Sequence, residues 1–335
     1  MPALGVDCFV MQAQSHDAIA KLADELARDV RVESAQAMNV FRVLGHDDPL
    51  YPLQPSARLW HIAEVHRMAT GRDVRVAEVD SGVELDHPDL RGRVAMARDF
   101  IGTTTPPAEP HGTAVAGIIA ARADDGIGIA GVAPDARLFA LRACRQAADQ
   151  SIATCTSFTL AKALQFAIDH EVQVINLSLG GPRDRLLERL LDAAFARHVI
   201  VVAAADPRAP DGGFPASLPG VIAVAAEDAE HPPARALLAP GRDIPATLPG
   251  RTWGFVSGSS YAAAQVSGAV ALILEHAPAM DAVQVRRALA PGSAPGAGRH
   301  LPAVVDVCSA LAHATSACVC ECRIVARDAD PNLSR

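Results

Sequence analysis

Three residues of this 335-residue chain have the types needed for nucleophilic attack on a carbonyl carbon. Asp80 ends an apolar run, His111 precedes a stretch of small residues, and Ser260 opens a helical stretch behind glycine and serine. A histidine that removes the serine proton activates the hydroxyl, and an aspartate orients that histidine. Taken singly, each residue also has a structural explanation. Asp80 and Ser260 could cap a turn or a helix, because Asp and Ser are common capping residues, and His111 could be incidental. The chemistry therefore rests on the three residues together.

From residue 73 onward, the elements that would position these residues alternate between strands and helices. Apolar strands are predicted over residues 74–79, 138–141, 172–177, 199–204 and 221–225. Helices are predicted over residues 112–122, 157–170, 184–196, 260–276, 281–289 and 304–312. Such alternation, with continuously apolar strands, is typical of a parallel sheet covered by helices on both faces.

Seven short sequence blocks contain or separate the three candidate residues. They are Asp80-Ser81-Gly82, His87-Pro88-Asp89-Leu90, His111-Gly112-Thr113, Gly131-Val132-Ala133-Pro134, Asn176-Leu177-Ser178-Leu179-Gly180-Gly181, Ala239-Pro240-Gly241 and Gly258-Ser259-Ser260. In this order the blocks resemble the subtilisin-like serine proteases, the subtilases, over about residues 55–312. The resemblance implies an α/β fold of three layers, with a mostly parallel central sheet flanked by helices.

The same resemblance implies a serine endopeptidase that hydrolyses peptide bonds through an acyl-enzyme. Ser260 would be the nucleophile and His111 the general base, while Asp80 would hold the imidazole in the required tautomer. Ser178, Leu179 and Gly180 resemble the edge segment that pairs with the substrate backbone. The implied partner is a peptide or protein substrate. Because no acidic residue is evident in the P1 pocket from the sequence, we expect a broad, apolar-leaning preference there.

One position departs from the family pattern. Subtilases have Ala-Ala-Gly-Asn after the strand predicted at 199–204, and that asparagine donates a hydrogen bond to the oxyanion. Here the matching residues are Ala-Ala-Asp206-Pro207, and Pro207 has neither a side-chain donor nor a backbone N–H. The Ser260 backbone N–H would remain as an oxyanion donor. A slow protease is therefore expected, and the alternative is a catalytically impaired pseudoprotease that binds extended peptides.

Subtilases often bind structural calcium, although their chemistry requires no cofactor. Asp89 and Asp124 fall on positions resembling one such site, where main-chain carbonyls would supply the remaining oxygen ligands. The alternative is that both are solvated loop carboxylates.

The N-terminal residues resemble part of the inhibitory propeptide of subtilases. A strand over 8–13, a helix over 16–29 and an extended stretch over 30–44 are predicted. The expected division is a partial propeptide-like unit at 1–46, a linker at 47–58, a catalytic domain at 59–314 and a cysteine-containing tail at 315–335. The propeptide-like unit would then be a partner of its own catalytic domain. The alternative is an extension that is retained and only packs.

Composition and charge exclude several other classes of protein. A net charge of −8 argues against nucleic-acid binding, which needs a basic surface. No apolar run is long enough to cross a bilayer, so no membrane span is predicted. A monomer is expected. Secretion or a periplasmic location follows from the resemblance, although no signal peptide is visible.

Seven cysteines bear on the redox environment. Cys144 and Cys155 bracket a polar loop and are predicted to form a disulfide, with two unpaired thiols as the alternative. The tail carries Cys318, Cys320 and Cys322. Their spacing lacks the paired Cys-x-x-Cys of a zinc site, which favours a frayed or disulfide-bonded tail.

Overall fold

A computed structural model describes residues 7, 9–11, 16–36, 45–146, 153–290, 302–317 and 320. The chain divides into two compact units, Met1–Leu44 and Gly45–Arg335. Within the helices of these described ranges, none is both long and apolar enough to cross a membrane.

The N-terminal unit contains one described helix, α1 (His16–Leu26), which confirms the helical prediction up to residue 26. The predicted strand at 8–13 is not found at residues 9–11, and its other residues lie outside the described ones. Residues 30–36, expected to be extended, contain a turn at 30–31, a bend at 33 and no strand, while 37–44 lie outside the description. Phe9, Val10 and Met11 are exposed. A short apolar run gives a strand only where a partner strand pairs with it.

The second unit is built on an eight-stranded sheet. Its strands are β1 (Arg75–Asp80), β2 (Val94–Asp99), β3 (Arg137–Arg142), β6 (Val174–Leu177), β7 (Ile200–Ala204), β8 (Ile222–Ala226), β9 (Leu237–Ala239) and β12 (Ala303–Val304). The strand order is β12-β9-β8-β7-β6-β1-β3-β2, and each neighbouring pair is parallel. Two antiparallel hairpins complete the strands, β4 (Cys144–Gln146) with β5 (Ala153–Cys155) and β10 (Ile244–Leu248) with β11 (Thr252–Val256).

Helices cover both faces of this sheet. They are α2 (Pro55–Leu59), α3 (Ile62–Val65), α4 (Pro110–Ala120), α5 (Ser157–Asp169), α6 (Arg185–Phe195), α7 (Ser259–His276), α8 (Ala282–Leu289) and α9 (Val307–Thr315). Alternate strand residues face the two layers: Val76 packs in the core with α4 and α7, and Ala77 packs in the core with α5 and α6. The predicted three-layer α/β fold is confirmed.

Residues 45–59, predicted as mostly linker, belong to the second unit and pack against the rest of it. The Leu50 N–H donates to the Gly128 carbonyl at 2.8 Å. The Gln54 side chain donates to the Ala130 carbonyl at 2.7 Å and accepts from its N–H at 2.9 Å. Tyr51, in a single 3₁₀ turn, is buried. Proline-rich sequence predicts a change of chain direction, but it does not indicate whether the reversing segment packs against the domain.

Most helix starts differ from the predictions by one to three residues. α4 begins at Pro110 and so includes His111, because a proline at the first helical position lacks only an N–H that would be unpaired there. The predicted helix at 304–312 begins instead at Val307, where the Asp306 side chain accepts from the Ser309 N–H at 2.9 Å.

Two disulfides join cysteines within the described residues. Cys144 and Cys155 are bonded, which joins β4 to β5. Cys320 of the tail is bonded to Cys308 in α9. Cys318 and Cys322 lie outside the described residues.

Candidate active site

Asp80 is the last residue of β1, at the carboxyl end of the parallel sheet. Its side chain is almost fully buried, with 3% of the residue exposed. The carboxylate oxygen Oδ1 accepts the Ser81 N–H at 2.6 Å, and the Asp80 carbonyl accepts the Ala143 N–H beyond β3 at 2.9 Å. One bond thus holds the carboxylate and the other holds the backbone of Asp80.

His111 is the second residue of α4, and its Nδ1 lies 2.7 Å from Asp80 Oδ1. The first turn of α4 approaches the strand end closely, since the Gly112 N–H donates to Ser81 Oγ at 3.0 Å. A Cβ on Gly112 would lie 2.5 Å from the Ser81 carbonyl oxygen, so only glycine permits this approach. The His-Gly pair in the sequence is therefore required by the packing of helix against strand.

The electrostatics of the pair favour a protonated imidazole. Burial lowers the pKa of His111, but the charge of Asp80 and the hydrogen bond to it outweigh burial, and the net result is a raised pKa. Because an ionised carboxylate can only accept, the proton of a neutral imidazole lies on Nδ1. Nε2 is then the nitrogen able to act as a base.

Ser260 is the second residue of α7. The helix is entered through Gly258, whose φ of +141° is rarely adopted by other residues. Ser260 Oγ donates to the Ser178 carbonyl at 3.0 Å, and Ser178 Oγ donates to the Ser260 carbonyl at 2.8 Å. These two bonds fix Ser260 to the segment that follows β6.

The predicted catalytic and substrate residues line one cleft of about 940 Å³. Asp80, His111, Ser260, Ser178, Leu179 and Gly180 all line it. In the described part of the chain, the backbone groups of Leu179 and Gly180 make no backbone hydrogen bonds, whereas the following Gly181 N–H donates to the Phe214 carbonyl at 2.9 Å. This is the state of an edge that can still pair with an extended peptide.

Pro207 also lines this cleft, between Asp206 and Arg208. Asp206 accepts two hydrogen bonds from the Arg208 guanidinium, each 3.0 Å, and one from the Arg208 N–H at 2.9 Å. These bonds lower the pKa of Asp206. The turn after β7 thus places an acidic residue in the wall of the cleft, and the broad, apolar-leaning P1 preference stays a prediction.

Glu109, which was not predicted from the sequence, is linked by hydrogen bonds to the segments that carry Asp80 and His111. It is buried and accepts the Gly82 N–H at 2.6 Å, the Gln146 N–H at 2.8 Å and the Arg142 Nε at 2.9 Å. Gln146 Oε1 in turn accepts the His111 N–H at 3.0 Å. The available signal was an acid directly before Pro110-His111, but nothing local marks it as buried.

Asp89 has the environment of a cation ligand. It is fully buried, its Oδ2 accepts from Ile129 N at 3.1 Å and from Trp253 Nε1 at 2.7 Å, and its Oδ1 has no hydrogen-bond partner among the described residues. Burial, reinforced by the nearby carboxylates Asp125 and Asp48, raises the pKa of Asp89 to about 6. A hard cation with oxygen ligands would satisfy the unpaired Oδ1.

Asp124, the other predicted calcium ligand, is placed differently. Its carboxylate lies 2.8 Å from His46 Nδ1 and is 62% exposed. Among the described residues, the one group of three side chains able to hold a metal is His46, Asp48 and Asp124, with ligand atoms within 4.8 Å of one another. Asp89 is not part of that group, so the predicted set of Asp89 with Asp124 is not found as a unit.

This chain is similar to known proteins in both sequence and fold. The family model described as the subtilase family matches residues 71–301. Subtilisin E of Bacillus subtilis is 37% identical over 234 residues, which is 65% of this chain and 59% of that protein. An alkaline protease of Alkalihalobacillus alcalophilus is 31% identical over 317 residues, covering 84% of this chain and 81% of the relative.

Among solved structures, fervidolysin from Fervidobacterium pennivorans, described as a keratinolytic enzyme related to subtilisin, aligns with a TM-score of 0.68 at 28% identity. The match covers 84% of this chain and 48% of that one. This chain therefore corresponds to about half of the fervidolysin structure and to 59% of subtilisin E.

Proposed function

The chain belongs to the subtilase family, and from this membership we propose that it is a serine endopeptidase with Asp80, His111 and Ser260 as its catalytic triad. The observation that carries the proposal is the 2.7 Å contact between His111 Nδ1 and Asp80 Oδ1 in the cleft that also holds Ser260. This contact occupies Nδ1 of His111 and leaves Nε2, the other ring nitrogen, as the base.

The proposed reaction proceeds through an acyl-enzyme. A peptide pairs with residues 178–180, His111 Nε2 takes the Ser260 proton, and Oγ attacks the carbonyl carbon of the scissile bond. The imidazolium then gives this proton to the leaving amine, and Asp80 stabilises the charged ring meanwhile. Water repeats the sequence on the ester and releases the second product.

Catalysis is proposed to be slow because of Pro207. In subtilisin, removal of the side-chain oxyanion donor lowers kcat by about 10²–10³. Ser260 lies in the first turn of α7, where main-chain N–H groups lack helical partners and can donate to an oxyanion. The second candidate function, a pseudoprotease that binds extended peptides, is favoured by the same Pro207 together with the unpaired edge at residues 179–180.

An active-site phosphonate probe separates the two functions. We expect covalent labelling of wild-type protein at Ser260 and none in Ser260→Ala. Ser259→Ala is the matched control, since the neighbouring Ser259 Oγ accepts the Ala226 N–H at 3.2 Å and is not the nucleophile. Absence of labelling in both wild type and Ser259→Ala, with peptide binding retained, would favour the pseudoprotease.

We propose a structural calcium ion at the buried Asp89, a monomeric state and an exported location, for which the two disulfides are the supporting observation. The N-terminal unit is proposed to be a removable propeptide. Intact mass of wild type beside Ser260→Ala tests this, because loss of about the first 46 residues only in the wild type would be self-cleavage.

A further inference from the structure

Glu109 joins the two chain segments that carry the acid and the base of the proposed triad. Its main chain and its side chain both bond to Gly82: the Glu109 N–H donates to the Gly82 carbonyl at 2.8 Å, and the Gly82 N–H donates to Glu109 Oε2 at 2.6 Å. Gly82 lies two positions after Asp80, and Glu109 lies two positions before His111. These two bonds therefore set the distance between the strand end and the helix start.

Arg142, the last residue of β3, holds the Glu109 carboxylate through two guanidinium nitrogens. Nε donates to Oε2 at 2.9 Å, and Nη2 donates to Oε1 at 3.3 Å. The side chains are 4% and 7% exposed, so water does not compete for this pair. Arg142 is also the register partner of Asp80 in the neighbouring strand. Because a two-pronged pair has one preferred orientation, the sheet fixes the carboxylate of Glu109 in direction as well as in position.

Gln146, the last residue of β4, connects this carboxylate to the backbone of His111. Its N–H donates to Glu109 Oε1 at 2.8 Å, and its side-chain Oε1 accepts the His111 N–H at 3.0 Å. The His111 N–H lies in the first turn of α4, where no helical carbonyl can accept it. Glu109 is thus linked to His111 both along the chain and through one intervening residue.

The network requires a carboxylate at position 109. Four N–H donors face the two oxygens, and an ionised carboxylate can accept from all of them. A glutamine would keep one acceptor oxygen but would turn its own amide N–H groups towards the other donors. The remaining guanidinium nitrogen of Arg142, Nη1, is held by Asp99 Oδ1 at 3.3 Å and by Thr103 Oγ1 at 3.1 Å. Arg142 therefore has no freedom to follow a displaced partner.

We propose that Glu109, fixed by Arg142, is a positioning residue that holds the His111 imidazole at hydrogen-bonding distance from Asp80. This inference rests on the proposed peptidase function, in which His111 is the base. Glu109 and Arg142 are not among the residues that line the substrate cleft, so their effect on the reaction passes through the backbone. A misplacement of about 1 Å in a catalytic group can lower the rate by about 10²-fold.

The first test is the kinetics of Glu109→Gln with one peptide substrate. We expect kcat to fall by about 10²-fold and KM to stay close to that of the wild type, because residues 178–180 are outside the network. Arg142→Met should cause a similar fall in kcat. The double variant should fall no further than the lower of the two single variants, since the two side chains act as one unit.

Leu311→Ala is the matched control for lost stability. Leu311 is fully buried in α9, which carries no residue of the proposed triad. Truncating a buried leucine costs stability on a scale similar to breaking a buried ion pair. Measured below its unfolding temperature, Leu311→Ala should therefore keep the kcat of the wild type.

The second test is the proton NMR resonance of His111 Nδ1–H in a Ser260→Ala background, which needs no turnover. The chemical shift of this proton depends on the length of its bond to Asp80. Glu109→Gln should displace the resonance, and Leu311→Ala should not. Glu109→Asp keeps both acceptor oxygens but is one methylene shorter, so it should displace the resonance as well, and it decides the question if Glu109→Gln does not fold.

A resonance that stays in place in the folded Glu109 variant would overturn the inference, whatever the rate. So would an equal fall in kcat in Glu109→Gln and Leu311→Ala, because general loss of stability would then explain both. If the wild type does not turn over peptide while the resonance still responds to Glu109→Gln, the proposed function alone is refuted.

Discussion

Glu78 is a buried acid in the middle of β1 whose replacement should stabilise the protein. It is 1% exposed, and neither carboxyl oxygen has a hydrogen-bond partner among the described residues. Burial, with the nearby charge of Asp80 adding to it, raises the pKa of Glu78 well above its ordinary value of 4.5. The side chain is therefore kept neutral by the fold, at the expense of stability.

The expected gain in the free energy of unfolding for Glu78→Leu has two parts, one constant and one dependent on pH. Burying a polar group without a partner costs about 1–3 kcal/mol, so Glu78→Leu should be more stable than wild type by about that amount even below pH 4.5. As the pH rises from 4.5 towards the raised pKa, Glu78 ionises in the unfolded chain but stays protonated in the folded one. Wild-type stability should then fall by about 1.4 kcal/mol per pH unit, and that of Glu78→Leu should not.

The assay is urea unfolding at pH 5, 6, 7 and 8, in a Ser260→Ala background that prevents self-digestion, followed by the fluorescence of the buried Trp60. Glu78→Gln separates the pH-dependent contribution from the constant one, because it cannot ionise but still buries a polar group without a partner. Glu230→Leu, at an exposed glutamate, is the control and should track the wild-type pH dependence. A stability gap between Glu78→Leu and wild type that stays constant across this pH range would refute the reasoning.

Three further predictions concern the catalytic centre and its neighbouring hairpin. Asp80→Asn should lower kcat by about 10⁴. It should also move the acidic limb of the kcat/KM–pH profile to lower pH, because His111 loses the charge that raises its pKa above 6.5. An unshifted limb would contradict this. With one peptide substrate, Pro207→Asn should raise kcat by about 10²–10³, whereas Pro207→Ala should not. Equal kcat values for the wild type and Pro207→Asn would show that another group already stabilises the oxyanion. Cys155→Ser should destabilise the protein by about 3 kcal/mol in urea unfolding, since the bond to Cys144 closes a short loop; an unchanged midpoint would count against that bond.

Much of the fold was predictable because its signals are local. Continuously apolar strands alternating with helical stretches can be buried only as a parallel sheet between two layers, and the five predicted strands are all found. At residues 9–11 the predicted strand is not found, because a short apolar run forms a strand only where another strand pairs with it. The packing of residues 45–59 was not predictable for a related reason: local turn chemistry does not reveal what Tyr51 and Gln54 pack against.

By itself, the sequence determined which residues can do the chemistry. Asp80, His111 and Ser260 lie at strand ends and helix starts that their own glycine and proline neighbours specify, so their approach follows from local rules plus the parallel sheet. The departure at Pro207 is equally a matter of sequence, because proline lacks an N–H in any fold.

Only the tertiary structure decided how the cleft is charged and supported. Glu109 and Glu78 each lie two positions before a residue of the proposed triad. Glu109 is satisfied by Gly82, Gln146 and Arg142, whereas Glu78 has no partner among the described residues. Asp206 and Gly180 are 26 positions apart and meet only because the turn after β7 folds against the segment after β6. Such contacts join distant parts of the chain, and the free energy of a buried charge depends on what surrounds it in space.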